Sequence, residues 1–253
     1  MWQSQRQAAL AVRRVHEGAT LGAALAAVGA ENAGPARVLV HELAYGTLRH
    51  WGTLEALAGV LANKPIGERD LAALVAVVLY QILHTKAPAY AIVDQAVAAA
   101  AAIARPAAKG LVNAMLRRFL REQPELVARV QGDPVARWSH PHWWIARTRR
   151  DHPEHWERIL ASGNERPPLA LRVNRRRTSR EVFIERLLAA GIGARAAGRA
   201  GVLVDEPKPA SALPGYAEGA FSVQDLGAQL AAPLLAVADG MRVLDACAAP
   251  GGK

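Results

Sequence analysis

The chain has 253 residues, 51% of them hydrophobic, and it carries a formal net charge of +9 at pH 7. This length allows one large domain or two ordinary domains with packed cores. No apolar run is long enough to span a membrane and the first residues lack the layout of a signal peptide, so we expect a cytoplasmic protein. A single cysteine, Cys247, excludes internal disulfides and cysteine-rich zinc sites, and we expect no metal.

Arginine carries far more of the positive charge than lysine does. The planar guanidinium group suits bidentate contact with phosphate and stacking on bases. The charge therefore indicates a polyanionic partner, which by this argument alone is RNA, DNA or an acidic membrane surface.

Hydrophobic residues recur with a helical period through the first half of the chain, and no strand is predicted before residue 165. Helices are predicted at 2–16, 20–28, from about 36 with an interruption near Gly46 or Gly52, and at 71–83, 92–103 and 109–122. We therefore predict an all-α bundle over residues 1–130 and a helical linker region over 131–165. The side chains expected to point inward from the last of these helices are Leu111, Met115, Leu116, Phe119 and Leu120.

Residues 110–121 read Gly-Leu-Val-Asn-Ala-Met-Leu-Arg-Arg-Phe-Leu-Arg, and together with residues 92–97 they resemble the NusB-type RNA-binding bundle. The resemblance implies that Arg117, Arg118 and Arg121, beside Asn113, form a face that contacts RNA phosphates. The alternative interpretation is a solvated helix face on which Asn113 makes a local hydrogen bond. The sequence favours neither.

Four tryptophans lie close together in the predicted linker region, at Trp138, Trp143, Trp144 and Trp156. Indole rings stack on any base, so the group is compatible with RNA binding. The helical spacing that these residues share with Ile145 and Leu160 instead favours two short helices packed on their neighbours, and we prefer that interpretation.

Residues 166–210 have the pattern of a small α/β subdomain. A strand is predicted at 169–174, a helix that begins with a capping box of Thr178 and Glu181 and ends at Gly191, and a second strand at 202–205. The Pro-x-x-Leu-Arg-Val-Asn sequence before the helix, residues 168–174, resembles the RNA-binding subdomain that precedes the catalytic domain in RNA cytosine methyltransferases. That resemblance favours RNA binding by Arg175, Arg176 and Arg177. The alternative is an edge strand protected by charge.

Residues 243–253 predict a strand, Val243 to Ala246, that runs into a tight turn at Pro250-Gly-Gly. The spacing of glycines fits neither a phosphate-binding loop nor a dinucleotide-binding loop. The sequence Asp-Ala-Cys-Ala-Ala-Pro-Gly-Gly-Lys instead resembles the cofactor loop of S-adenosylmethionine-dependent RNA cytosine methyltransferases. The resemblance makes residues 211–253 the start of a Rossmann-like α/β methyltransferase domain. It also implies contact with S-adenosylmethionine by Cys247, Ala248, Ala249, Pro250, Gly251, Gly252 and Lys253.

The order of bundle, α/β subdomain and cofactor loop resembles bacterial small-subunit (16S) ribosomal RNA cytosine-5 methyltransferases of the RsmB (Sun) type. The resemblance implies methylation of carbon 5 of a cytosine, ribosomal RNA as partner, and a monomer that does not bind membranes. The family's nucleophilic cysteine lies in Pro-Cys and Thr-Cys motifs beyond the cofactor loop, so no catalytic residue is assigned here. Cys247 is expected to pack the end of the strand, and the 253-residue chain is expected to be inactive.

Two other functions remain open. The first 125 residues equally fit a non-enzymatic NusB-like RNA-binding antitermination factor, which would have no use for the second half of the chain. A basic helical module that binds proteins is the third possibility. It would bind with little dependence on salt, whereas binding to RNA weakens steeply as salt rises.

Overall fold

The computed structural model describes residues 1–29, 34–62, 64–103 and 108–249. The chain divides into two units, Met1–Glu165 and Arg166–Lys253, which we call the helical unit and the sheet unit. No helix in the described ranges is both long enough and apolar enough to cross a membrane.

The helical unit follows the helical period of its sequence. Residues at three- and four-residue spacing bury one side of most helices, whereas the run from Ala73 to Gln81 is buried on every side. The helices are α1 Trp2–His16, α2 Leu21–Gly29, α3 Pro35–Arg49, α4 Trp51–Leu61, α5 Arg69–His84, α6 Ala89–Ile103, α7 Ala108–Val130, α8 Pro134–Trp138, α9 His142–Asp151 and α10 Trp156–Gly163.

Helix α5 lies at the centre of this unit and contacts α1, α3, α4 and α6. Its side chains Leu74 and Leu79 are fully buried. A polar bond crosses the core, where Gln5 Nε2 donates to Gln81 Oε1 at 2.8 Å and to the carbonyl of Ile92 at 3.2 Å. These two bonds tie α1 to α5 and α6, whereas Gln5 Oε1 is buried without a hydrogen-bond partner among the described residues.

The predicted interruption after α3 falls at His50, between the two glycines expected to cause it. Gly46 lies inside α3, where a β-carbon would overlap the ring of Tyr80. Gly52 lies inside α4, where a β-carbon would overlap the carbonyl of Val135. Both glycines therefore serve close packing and do not end a helix.

Helix α7 is eight residues longer than the predicted end at Glu122, because it continues through Pro124 to Val130. Proline removes one backbone hydrogen bond, but Pro124 is exposed, so water can hydrate the carbonyl that loses its partner. Leu126 and Val130 beyond it are buried, and their packing offsets the cost.

The sheet unit is a four-stranded antiparallel sheet with strand order β2-β3-β1-β4. Leu171 pairs with Val202 on one side and with Val223 on the other. The elements are β1 Leu169–Val173, α11 Arg180–Ala189, β2 Ala194–Ala197, β3 Gly201–Val204, a 3₁₀ turn Ala210–Ala212, β4 Phe221–Val223, a 3₁₀ turn Ala228–Leu230 and α12 Ala231–Leu235.

Helix α11 covers one face of this sheet. Its Phe183 and Leu187 are buried against inward residues of the strands, and the rings of Phe183 and Phe221 lie 5.2 Å apart. The helix is capped by Ser179, whose hydroxyl accepts from the N–H of Val182 at 3.2 Å. The predicted capping box on Thr178 was therefore misplaced by one residue, and strands β2 and β4 were missed.

The predicted strand from Val243 to Ala246 does not form in the structure. Val243 and Leu244 are exposed, and no described strand pairs with them. A strand needs a neighbour for its backbone groups, which explains the difference. Cys247 is exposed as well, so the expectation that it packs against a strand end was wrong.

Candidate nucleic-acid interface

Helices α6 and α7 border a groove of about 770 Å³, which we call the α6–α7 groove. Its presence explains why Leu120, expected to be buried, is 36% exposed. Leu111, also expected inside, is exposed too. The side chains that line the groove from α6 include Tyr90, Asp94 and Val97, and those from α7 include Lys109, Asn113, Arg117, Leu120 and Arg121.

The three arginines predicted to form one face of α7 separate into two groups. Arg117 and Arg121, four residues apart, line the groove, and Arg117 Nε donates to Asn113 Oδ1 at 3.1 Å. Arg118 instead pairs with Glu122 at 2.9 Å and donates to the carbonyl of Val60 at 3.4 Å. Arg118 therefore ties α7 to α4. Arg117 and Arg121 face the groove, and Arg121 also lies 3.9 Å from Glu122 in an exposed and weak ion pair.

The tryptophans of the linker region also separate. Trp138 and Trp156 are half-buried and meet edge to face at 5.6 Å, as packing predicts. Trp143 and Trp144 are 67% and 40% exposed, so the interpretation that they pack on neighbours was wrong for these two. The buried residues of the same helices are Ile145 and Thr148 in α9 and Leu160 in α10.

The Arg175–Arg177 run forms a turn that Asn174 holds. Asn174 Oδ1 accepts from the N–H of Arg176 at 3.2 Å, and its Nδ2 donates to the carbonyl of Gly219 at 3.0 Å. Arg175 and Arg176 open toward one pocket, whereas Arg177 is not among the residues that line it and instead lies beside Gly219. The run is therefore a rigid turn, not a protected edge strand.

Two further arginines that the sequence interpretation missed lie at the same pocket. Arg172 projects from β1 on the face opposite α11, and Arg199 follows Gly198 in the hairpin turn between β2 and β3. A prediction of the hairpin would have placed Arg199 near the end of β1. It was missed because the four residues of β2 include no β-branched side chain.

The described part of the predicted cofactor segment is an exposed turn. The N–H of Cys247 donates to Asp245 Oδ1 at 3.0 Å, and Ala248 and Ala249 are exposed. Residues 250–253 lie outside the described residues. The described residues therefore do not by themselves form a cradle for S-adenosylmethionine. Within the described ranges, no group of three or more His, Cys, Asp or Glu side chains is placed to hold a metal.

Comparison with protein families divides the chain in the same order. Residues 3–121 match the NusB family, and residues 140–211 match the ferredoxin-like domain of RsmF/B-like methyltransferases. The crystal structure of PH0851 resembles 93% of this chain with a TM-score of 0.62, and the match covers 55% of that chain. At 16% identity this likeness concerns the fold alone.

Curated relatives are more similar in sequence. Ribosomal RNA small subunit methyltransferase B of Pseudomonas putida is 47% identical over 221 residues, which are 86% of this chain and 51% of that protein. The protein of the same name from Serratia proteamaculans is 39% identical over 251 residues, which are 97% of this chain and 58% of that protein. The chain thus spans about half the length of the relatives it matches. It belongs to the family of ribosomal RNA small subunit methyltransferase B proteins.

Proposed function

We propose that this protein serves the methylation of carbon 5 of a cytosine in small-subunit ribosomal RNA, with S-adenosylmethionine as the methyl donor. The 253 residues would supply RNA binding and cofactor contacts but not the nucleophile. The observation that carries the proposal is the presence, in one chain, of a NusB-family unit and the ferredoxin-like domain of RNA methyltransferases. The name of the relatives supports methylation of small-subunit ribosomal RNA. The choice of cytosine carbon 5 rests on the likeness of residues 245–253 to the cofactor loop of cytosine methyltransferases.

The proposal assigns RNA binding to the two units and cofactor contact to residues 247–253. Arg117 and Arg121 would contact phosphates from the α6–α7 groove, and Arg175 and Arg176 from the turn after β1. Carbon 5 of cytosine becomes nucleophilic only after a thiolate adds to the neighbouring ring carbon. We give Cys247 no part in that step, because it belongs to the segment assigned to the cofactor. We also propose that the protein acts as a monomer.

Bisulfite sequencing of ribosomal RNA tests the proposed reaction directly. Deleting the gene in its own organism is expected to abolish 5-methylation at a cytosine of the small-subunit RNA, and re-expressing the gene should restore it. An unchanged methylation pattern, or loss of a methyl group on another atom or base, would contradict the proposal. The alternative antitermination factor predicts unchanged methylation and altered transcription. Nothing in the sheet unit favours that alternative.

A further inference from the structure

Four arginines converge on one concave surface of the sheet unit, which we call the arginine pocket. It has a volume of about 710 Å³ and is lined by Arg172, Arg175, Arg176 and Arg199. Leu226, Gln229 and Pro233 also line it. No carboxylate is among the lining residues. The volume lies in the range of pockets that hold small ligands, so a nucleotide unit fits within it.

Three carboxylates of the sheet unit pair with arginines outside the pocket. Glu218 pairs with Arg186 at 2.7 Å, and Asp205 pairs with Arg195 at 3.2 Å. Glu181 lies in the adjoining depression beside Arg175 and pairs with Arg180 at 3.1 Å. Across the described residues, none of the four pocket arginines has a carboxylate oxygen within the 4.0 Å limit for an ion pair. A backbone hydrogen bond, the paired Arg180 and, more weakly, the charge of Arg175 lower the pKa of Glu181, so Arg175 is partly compensated. Arg172, Arg176 and Arg199 have no such partner in the described part of the chain, and their positive charge favours binding of an anion.

The backbone around the pocket is fixed before any ligand arrives. Asn174 holds the turn that carries Arg175 and Arg176. Arg180 Nη1 donates to the carbonyl of Gly198 at 2.7 Å, which ties down the hairpin turn that carries Arg199. Gly198 has a φ of +59°, a left-handed conformation that glycine adopts without strain. Gln229, which also lines the pocket, is held by a bond from its Nε2 to the carbonyl of Leu171 at 3.3 Å. Binding therefore costs little conformational entropy of the backbone, because the backbone is already ordered.

We infer that the arginine pocket binds a backbone phosphate of the RNA substrate, with Arg176 and Arg199 as the principal contacts. The inference rests on the proposed function for the identity of the polyanion. Guanidinium groups grip phosphate oxygens through paired N–H donors, and several such groups around one concavity match a phosphate better than a carboxylate peptide or an apolar ligand. Arg177 lies outside the pocket and is assigned no phosphate contact.

Fluorescence anisotropy with a short, labelled RNA oligonucleotide of mixed sequence tests the inference. Arg176→Gln and Arg199→Gln are each expected to weaken binding about tenfold. Each should also lower the slope of log K against log salt by about 0.7 to 0.9, as one phosphate contact is lost. Arg199 is exposed in a turn, so its substitution leaves the fold intact, and circular dichroism checks this. Arg195→Gln removes the same charge from the same sheet and is the matched control, because Arg195 is paired with Asp205.

The outcomes separate the pocket from the proposed function. If the wild-type chain binds RNA with a steep salt dependence and both pocket variants stay within about twofold of it, the arginine pocket is not an RNA site. An equal loss in Arg195→Gln would also overturn the inference, because general charge would explain the effect. If the variants keep RNA affinity but bind inorganic phosphate more weakly than the wild-type chain does, the pocket serves a free anion and the inference is overturned. A wild-type chain that does not bind RNA contradicts the proposed function itself.

Discussion

The α6–α7 groove and the arginine pocket are both basic, but they differ in how their arginines are held. Among the arginines of α7, Arg118 and Arg121 pair with Glu122 at 2.9 and 3.9 Å, and Arg117 is bonded to Asn113. Among the pocket arginines, Arg172, Arg176 and Arg199 have no ion-pair partner in the described chain. The number of arginines in a sequence segment therefore does not give the unpaired positive charge of the surface that they form. The number and position of nearby carboxylates decide that.

The two units also differ in what fixes their geometry. In the helical unit, close packing of side chains positions the helices, as Gly46 against Tyr80 shows. In the sheet unit, a smaller core is supplemented by hydrogen bonds in turns, as Asn174 shows. Substitutions that attack packing should therefore have their largest effects in the first unit, and substitutions that attack turns should act in the second.

The largest effect is expected from Gly46→Ala. The new methyl group would overlap the ring of Tyr80, and the forced shift of α3 or α5 should cost about 2 to 3 kcal/mol of unfolding free energy. Gly59→Ala is the control, because a β-carbon there meets nothing within 4 Å and should stabilise α4 by up to about 1 kcal/mol. All six tryptophans lie in the helical unit, so denaturant unfolding followed by tryptophan fluorescence reports this unit alone. Equal stabilities of the two variants would refute the packing role of Gly46.

Asn174→Ala should have the next largest effect, on the sheet unit. Loss of two side-chain hydrogen bonds is expected to cost about 1 to 2 kcal/mol, measured by hydrogen exchange of strand amides. Because the turn then moves, RNA affinity should fall several-fold. Ser179→Ala removes the cap of α11 at a cost of about 1 kcal/mol and leaves the turn bonds in place. A parallel loss of affinity in Ser179→Ala would mean that stability, not the turn, explains the result.

Arg117→Gln and Arg118→Gln should differ although the residues are neighbours. Arg117→Gln is expected to weaken RNA binding a few-fold with little change in stability. Arg118→Gln should cost about 0.5 kcal/mol of stability, since its ion pair is partly exposed, and leave affinity unchanged. The measurements are RNA anisotropy and tryptophan fluorescence during unfolding. Affinity losses of the same size in both would show that the whole arginine run contacts RNA.

The smallest effect concerns pH. Burial, together with the neighbouring charges of His84 and Arg49, lowers the pKa of His50 to about 4. The His50 ring is stacked on that of His84 at 4.2 Å. In the unfolded state His50 has a pKa of about 6.5 and therefore binds a proton more strongly than in the folded state. The contribution of neutral His50 to stability is therefore complete above about pH 6.5. This contribution is lost as the pH falls from about 6.5 toward about 4. His50→Gln should flatten the pH dependence of helical-unit stability in this window, and an unchanged slope would exclude His50 as its source.

Most helices could be predicted because their signal is local. The spacing of apolar residues placed α1 at its observed bounds and α5 close to them. The continuation of α7 past Pro124 could not be predicted, because it depends on the burial of Leu126 and Val130 against other helices. The short strands β2 and β4 were missed for the same kind of reason. Three or four residues carry little periodicity, and pairing with β3 and β1 makes them strands.

The sequence by itself determined the order of a helical unit and a small α/β unit and the basic character of the protein. Only the tertiary structure decided which arginines remain available to an anion. Asp205 neutralises Arg195 from ten positions away, and Glu218 neutralises Arg186 from a different element. The same folding brings Arg199 to Arg176 without a carboxylate between them. Ion pairing depends on distances of a few ångströms between side chains remote in sequence, and the fold alone sets those distances.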